Sequence, residues 1–189
     1  MYEIDVEIVG TATLLQNRYS VKDNGDRTAT TTEKDWSQSW RKALYTKNGN
    51  VVQPSEHILG AMKKAATAFK IQGKRGKTFK DAINSFVNIE PEYISHGVPV
   101  PVELTEDADQ TIYVDIRPVV RPGRIRVTCY RPALKEGWKL DFKIICIDDG
   151  LPLTVLQDIL VLAGKTIGIG DFRPRFGRFM VSRFEVSKN

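Results

Sequence analysis

A run of glycine, arginine and phenylalanine near the carboxyl end of the chain has the composition of a loop that binds phosphates and unpaired bases. It reads GIGDFRPRFGRF over residues 168–179. Glycine lets a backbone approach a phosphate closely, arginine offers a planar fork for phosphate oxygens, and phenylalanine offers a ring for base stacking. The candidate contacts in this run are Gly168, Gly170, Phe172, Arg173, Arg175, Phe176 and Arg178. The alternative is that the rings pin the loop to the core and the arginines are solvent-exposed tips.

Positive charge is segregated along the chain, which has 28 Lys and Arg, 23 Asp and Glu, and a net charge of +5. Residues 63–80 carry seven cations and residues 117–131 carry five arginines, and neither segment has an acid. Residues 81–115 carry eight acids and no Lys or Arg. Such blocks favour a polyanion-binding surface and a self-complementary contact with a neighbouring copy, although a solvated face is the alternative for any single block. The further candidate nucleic-acid contacts are Lys74, Arg75, Lys77, Arg121, Arg124 and Arg126.

The sequence contains few residues in arrangements suited to catalysis or metal binding. The two histidines, His57 and His96, do not have the spacing of a metal-ligand pair. The two cysteines, Cys129 and Cys146, fit neither a disulfide framework nor a zinc finger. No G-x-S-x-G motif or Walker loop is present in the sequence. We therefore expect no metal, no cofactor and no catalytic residue.

Hydrophobic periodicity predicts the elements that position these residues, because strands alternate apolar and polar residues whereas helices repeat them every three to four. The predicted strands are 2–10, 112–116 continuing after a proline kink to 125–129, 138–146 and 179–186. The predicted helices are 56–69, a short one near 78–86, and one from 154 to about 163. Residues 124–130 and 138–146 are predicted to pair as a hairpin. Residues 88–110, which are rich in proline and acids, are predicted to be irregular.

The order strand, helix, strand, strand, helix, strand predicts an α+β fold with a ferredoxin-like core, similar to RNA-recognition modules. We expect one domain over residues 1–189 with insertions at about 17–55 and 70–110. Two helices would cover one face of the sheet, and in related RNA-binding modules the other face carries the ligand. The longest apolar run is far shorter than the ~18 residues of a membrane span. We therefore expect no membrane contact and a cytoplasmic protein.

The order of elements and two sequence segments resemble the RAMP superfamily of CRISPR systems, and in particular the guide-RNA-binding backbone subunits of CRISPR effector complexes. The first segment is NGNVVQPS over residues 48–55, which runs into ILGAM over residues 58–62 and is similar to the start of the family's first helix. The second is GKTIGIGDFRPRFGRF over residues 164–179, which is similar to the family's glycine-rich loop between the second helix and the last strand.

The resemblance implies a protein that binds single-stranded RNA, stacks along the strand with other copies of itself into a filament, and has CRISPR-type subunits as further partners. The insertion at 17–55 would act as a thumb and the acidic one at 70–110 as a web, both reaching the next subunit. The setting would be the cytoplasm of a prokaryotic or phage-infected cell. A compact relative encoded by a phage or mobile element has the same sequence features, and the sequence does not separate RNA from DNA.

Two other functions stay open at the level of sequence. One is a metal-independent endoribonuclease of the RAMP type, in which His57 would move the proton of a 2′-hydroxyl beside Lys63 or Lys64. For His57 itself, a surface residue at the start of a helix is the favoured interpretation. The other is a purely structural module in which the acidic and basic segments pair between copies.

Overall fold

The structure is a computed structural model, and it describes residues 1–18, 36–121 and 125–187. Within these ranges the strands are β1 (Tyr2–Gly10), β2 (Leu14–Leu15), β3 (Thr46–Lys47), β4 (Asn50–Pro54), β5 (Val87–Glu90), β6 (Tyr93–Pro99), β7 (Ile112–Arg121), β8 (Ile125–Leu134), β9 (Lys139–Cys146) and β10 (Phe179–Val186). The helices are α1 (Trp36–Ala43), α2 (Ser55–Ala65), α3 (Lys80–Phe86) and α4 (Leu153–Leu162). A 3-10 turn (Ala66–Ala68) follows α2, and a π-helical turn (Ala163–Ile167) follows α4.

A four-stranded antiparallel sheet in the order β10-β1-β9-β5 forms the centre of the molecule. The alternation in β1 places Ile4, Val6 and Ile8 on one face, and all three side chains are fully buried. Helices α2 and α4 bury their apolar residues in the same core. The predicted α+β class is therefore confirmed.

Two smaller antiparallel sheets flank the central one, with the orders β2-β8-β7 and β3-β4-β6. This arrangement shows that the predicted hairpin of 124–130 with 138–146 is wrong, because β8 pairs with β7 and β2 whereas β9 pairs with β1 and β5. Directly opposed residues of an antiparallel pair point to the same face. Strand β9 lies beside β1 because its apolar residues then join those of β1 in the core, as the pair Ile4 and Ile144 shows.

The acid-rich segment contains more regular structure than its composition predicts. Strand β5 completes the central sheet at its edge and buries Val87 and Ile89, and β6 pairs with β4. The expectation of irregular structure over residues 88–110 is therefore wrong for 88–90 and 93–99. The range 70–110, predicted as an insertion, includes a strand of the central sheet. The range 17–55 holds α1, β3 and β4, and part of it lies outside the described residues.

The face of the central sheet away from the helices carries about twice as many acids as bases. Its acids are Glu3, Asp5, Glu7, Glu90, Asp141 and Glu185, and its bases are Lys139, Lys143 and Arg183. Two of the bases are paired on the face itself, since Lys143 Nζ lies 3.1 Å from Glu3 Oε2 and Arg183 lies 2.6 Å from Asp141 Oδ1. Such a face repels a polyanion, unlike the free face of RNA-recognition modules. In the described part of the chain, no helix has the length and apolarity to cross a membrane.

Candidate nucleic-acid interface

The glycine-rich loop, residues 168–178, connects the π-helical turn to β10 and is fastened to the segment around β2 by backbone hydrogen bonds. The Asp171 N–H donates to the Leu15 carbonyl at 2.8 Å, and the Gly177 N–H donates to the Thr13 carbonyl at 2.8 Å. The loop also closes on itself, because the Ile169 N–H donates to the Gly177 carbonyl at 2.9 Å. These backbone hydrogen bonds therefore hold the loop in a defined conformation against the rest of the fold.

Two of the predicted contact residues, Gly168 and Gly170, allow this close packing. A Cβ atom at Gly168 would lie 2.9 Å from the Phe176 carbonyl oxygen, and one at Gly170 would lie 2.4 Å from the Leu15 carbonyl oxygen. Both glycines also have positive φ, at 71° and 77°. Close packing of backbone against backbone is therefore sufficient to explain why these two positions are glycine. Their contact with a phosphate stays a prediction.

The two predicted stacking residues, Phe172 and Phe176, are half-buried and meet edge to face with their ring centres 6.4 Å apart. They pack against a small apolar cluster formed by Leu15, Tyr113 and Ala133. Each ring also has two guanidinium groups within 6 Å of its centre. Those nearest are Arg131 at 4.5 Å from Phe172 and Arg117 at 4.3 Å from Phe176. The rings thus pin the loop to the β2-β8-β7 sheet through apolar and cation–π contacts.

Asp171 joins the loop to strand β8 through Arg131. Arg131 Nε lies 2.6 Å from Asp171 Oδ2, and only 7% of Arg131 is exposed. Burial raises the pKa of Asp171, but hydrogen bonds from the Phe172 N–H and from Arg131 outweigh it, so the pKa lies below its ordinary value. Asn17 donates a further hydrogen bond to the same carboxylate at 3.1 Å. Asp171 is therefore a carboxylate at neutral pH that neutralises Arg131.

A groove of about 370 Å³ separates the loop from helix α2. Its lining residues are Lys64, Thr166, Ile167, Gly170, Asp171, Phe172, Arg173 and Pro174. Lys64 stands on the helix wall and Arg173 on the loop wall, and both are exposed. Because Arg131 neutralises Asp171, the charge that remains in the groove is positive. Such a groove can hold a phosphate group between a lysine and an arginine.

His57 lies on helix α2 two turns before Lys64, so both residues are on the same face of the helix. Its ring meets the Tyr45 ring edge to face with the centres 5.4 Å apart. Burial and the positive charge of Arg173 lower the pKa of His57 below its ordinary value. His57 is therefore a neutral imidazole on the same helix face as Lys64, beside the groove and outside its lining. In the described ranges, no three His, Cys, Asp or Glu side chains could together hold a metal ion.

The other predicted contacts are dispersed over the surface. Arg175 and Arg178 are exposed on the loop. Arg126 is exposed on β8, but it points to the opposite face from Arg131, because residues an odd number apart on a strand alternate. The Arg121 backbone ends β7, while its side chain and the whole of Arg124 lie outside the described residues. The remaining three candidates are Lys74, Arg75 and Lys77. They are exposed on a loop closed by the Lys70–Thr78 bridge and do not line the groove.

Sequence reasoning missed how Arg117, Arg131 and Lys64 are used. The sequence identified Arg117 and Arg131 only as part of the basic segment 117–131. The structure places both guanidinium groups against the rings of the glycine-rich loop. One face of the β7–β8 pair carries Tyr113, Arg117 and Arg131, which all have odd numbers. Arg126 has an even number, so alternation along the strand places it on the other face. Identifying that shared face requires knowing that β7 pairs with β8.

No protein-family model matches the chain, and no curated protein matches it. Solved structures do match. The chain is similar over 99% of its length to a chain in the cryo-EM structure of the type III-B Cmr-beta bound to cognate target RNA, with a TM-score of 0.61, 13% identity and 61% of that chain covered. A chain of a type IV-B CRISPR complex matches with a TM-score of 0.48 and 9% identity, over 99% of this chain and 91% of that one. In fold the chain thus resembles a chain of the type III-B Cmr-beta complex, and at the level of the fold this confirms the resemblance predicted from the sequence.

Proposed function

We propose that the protein binds single-stranded RNA in the groove between α2 and the glycine-rich loop and self-associates along the strand, as a backbone subunit of a CRISPR-type assembly without catalysis of its own. The observation that carries this proposal is the juxtaposition of Lys64 and Arg173 on opposite walls of a groove whose one carboxylate, Asp171, is neutralised by Arg131. The acidic character of the sheet face away from the helices supports the same site, because that face disfavours a polyanion.

The likeness to a chain of an RNA-bound CRISPR complex supports RNA as the ligand class. This chain spans 61% of the length of that chain, so the full activity and partners of that protein are carried over here only as part of the proposal. Single-stranded DNA is the competing ligand, and both present the phosphates that the groove would hold.

The central sheet supports a ferredoxin-like core for this subunit. In chain order β1, β5, β9 and β10 are its first, second, third and fourth strands, and their spatial order is fourth, first, third, second. Helix α2 lies between the first and second of them in the sequence, and α4 lies between the third and fourth. This order agrees with the split β-α-β-β-α-β arrangement and so supports the proposed core, with the small β2-β8-β7 sheet packed against the glycine-rich loop.

Self-association is supported by charged side chains that make no ion pair within the described part of the subunit. Glu103, Glu106 and Asp107 are exposed between β6 and β7 and make no ion pair there. The exposed cations of the loop over residues 70–77 likewise make none among the described residues. We propose that the acidic segment of one copy faces this basic loop of the next.

RNA binding is tested by the salt dependence of affinity for a single-stranded RNA, measured by fluorescence anisotropy. The logarithm of affinity should fall with the logarithm of salt by about 0.7 for each phosphate contacted. Replacing Arg173, Arg175 and Arg178 by alanine should weaken binding and flatten the slope. The matched control replaces Lys139, Lys143 and Arg183, which removes three positive charges from the open sheet face and should leave the slope unchanged. A loop triple variant that binds as well as the wild type would contradict the proposed site, since it lacks Arg173 of the groove as well as the two other arginines of the loop.

Self-association is tested by size-exclusion chromatography after nuclease treatment. Reversing Glu103, Glu106 and Asp107 to lysine should abolish assembly. Reversing Lys74, Arg75 and Lys77 to glutamate should do the same, and mixing the two variants should restore mixed assemblies. If the two variants stay monomeric when mixed, while the wild type assembles, the pairing of these two segments is wrong.

A further inference from the structure

A hydrogen-bonded relay, formed by the side-chain amides of Gln16 and Gln53, connects the backbone to the ring of His57. Gln16 and Gln53 are both fully buried. Gln16 Nε2 donates to the Val52 carbonyl at 2.8 Å and to Gln53 Oε1 at 3.1 Å, and Gln16 Oε1 accepts the Tyr45 N–H at 2.9 Å. Gln53 Nε2 in turn contacts Nδ1 of His57.

The direction of every hydrogen bond in this relay is set by two backbone groups. The Tyr45 N–H can only donate and the Val52 carbonyl can only accept, so Gln16 cannot be turned over without placing donor against donor and acceptor against acceptor. With Gln16 fixed, Gln53 must present its oxygen to Gln16 and its NH₂ group to His57. Nδ1 of His57 is therefore an acceptor, and in the neutral ring the proton is on Nε2.

Nε2 is directed away from the relay and is available to a ligand. Among the described residues it has no hydrogen-bond partner, and it is not among the buried unpartnered nitrogens, which belong to His96 and Arg131. On the same helix face, Gly60 adds no side chain, and even a Cβ there would meet no atom within 4 Å. A strand could therefore approach the helix closely between His57 and Lys64.

We propose that His57 extends the groove along the face of α2 as a binding residue, and that its Nε2–H, fixed by the Gln16–Gln53 relay, donates a hydrogen bond to a phosphodiester oxygen of the bound strand. This inference rests on the proposed function, since it assigns the ligand's atom and the donor. A phosphodiester is the fitting acceptor because Lys64 lies two turns further along the same helix face, and Lys64 and Arg173 make the adjoining groove positive. An N–H held in place needs no reorientation when the anion arrives, which favours binding.

The relay also separates this role from that of a ribonuclease base. A general base must offer an unprotonated nitrogen to the 2′-hydroxyl, but the outward nitrogen of His57 carries the proton. Conversion to the imidazolium would place a second N–H against the Gln53 amide. The charged neighbours act in opposite directions, since Arg173 opposes protonation and Glu56 favours it, and the Tyr45 ring covers one side. RNA affinity should therefore not increase as the pH falls from 7.5 to 6.

The tautomer is measured directly by ¹⁵N NMR of the imidazole in the RNA-free protein, which does not depend on the proposed function. At pH 7 we expect the His57 signals of a neutral ring protonated at Nε2. A ring protonated at Nδ1, or an imidazolium, would overturn the inference.

The donor role is measured with two variants of similar size. In His57→Gln the side-chain oxygen can accept from Gln53 while the NH₂ group donates outward, so RNA affinity should stay within about threefold of the wild type. His57→Leu removes the donor, and RNA affinity should fall by roughly tenfold or more. Thermal denaturation checks that both variants are folded at the assay temperature.

The outcomes distinguish this inference from the proposed function. If Arg173→Ala weakens RNA binding but His57→Leu binds as tightly as the wild type, the groove stands and the role of His57 is wrong. If the wild type itself does not bind RNA, the proposed function fails, and the donor role fails with it even where NMR finds the proton on Nε2. RNA cleavage in chelator that disappears in His57→Ala would contradict the donor role in favour of catalysis.

Discussion

Arg131 and Asp171 form an ion pair 2.6 Å long between strand β8 and the glycine-rich loop, and the same guanidinium lies 4.5 Å from the centre of the Phe172 ring. One buried arginine thus neutralises the carboxylate of the groove and holds the ring beside it. Arg131 Nη1 is buried and has no partner among the described residues, so the arginine depends on this carboxylate for its main compensation. The position of the groove wall is therefore coupled to the β7–β8 pair.

Breaking this pair should destabilise the protein through the charge left behind. We expect Asp171→Asn to lower the free energy of unfolding by about 2 kcal/mol, less than the full cost of a buried pair because one third of the Asp171 side chain is exposed. Urea unfolding measures this change. In an Arg131→Met background, where no buried charge remains to be neutralised, the same substitution should cost less than half as much. Equal costs in the two backgrounds would mean that the residues are not coupled.

Leucine at Phe172 or Phe176 separates a packing role from a base-stacking role. Leucine keeps most of the apolar contact with the cluster of Leu15, Tyr113 and Ala133 but has no ring for a base. Because arginines already lie against both rings, we expect each leucine variant to bind RNA within about twofold of the wild type and to lose about 1 kcal/mol of stability with the cation–π contacts. If the rings stack on bases, affinity should instead fall by about 1–3 kcal/mol with little change in the urea midpoint.

The strong periodic strands and the two main helices could be predicted from the sequence, because each buries its own apolar pattern in the core. Alternation in β1 and β9 and the helical stripe in α2 are examples of this local information. Strand partners could not be predicted in the same way, since alternation defines a face and leaves the neighbour open. Strand β5 was missed because four residues with two buried side chains give a weak signal inside an acidic, proline-rich segment.

The glycine-rich loop was identified as the candidate site from its composition, and the structure places its Arg173 in one groove with Lys64, while the binding role of the loop stays a prediction. Lys64 could not be assigned as the partner of Arg173 from the sequence, because the two residues are more than a hundred positions apart and meet only through packing of the loop against α2. The relay of Gln16 and Gln53 is likewise a product of tertiary structure, and neither glutamine carries a sequence motif.

His96 should make the stability of the protein sensitive to acid. Its ring meets Trp138 edge to face at 6.1 Å, and burial lowers its pKa from 6.5 to about 4. Between these values the unfolded chain binds the proton and the folded protein does not, so stability is fully present above pH 6.5 and falls as the pH falls towards 4. We expect this residue to contribute about 2 kcal/mol of destabilisation between pH 7 and pH 5.

Urea unfolding of His96→Phe at the two pH values measures this contribution. Phenylalanine has no titrating group, so the variant should lose less stability than the wild type on going from pH 7 to pH 5. The lowered pKa of His57 acts in the same direction, and the parallel measurement on His57→Gln separates the two histidines. If the pH dependence of His96→Phe equals that of the wild type, His96 is not the acid-sensitive group.

Alanine substitutions at Gly177 and Gly76 distinguish the packing of the loop from backbone strain. The two glycines have nearly the same positive φ, at 70° and 73°, so both substitutions carry the strain of that conformation, about 1 kcal/mol. At Gly76 a Cβ meets no atom within 4 Å, whereas at Gly177 it would lie 1.8 Å from the Ile169 carbonyl oxygen. The loop must therefore open in Gly177→Ala. For Gly177→Ala we expect a loss of about 3 kcal/mol or more in the free energy of unfolding, together with weaker RNA binding. For Gly76→Ala we expect a loss of about 1 kcal/mol and unchanged RNA binding. Similar losses in the two variants would show that the loop does not depend on the close contact of Gly177 with Ile169.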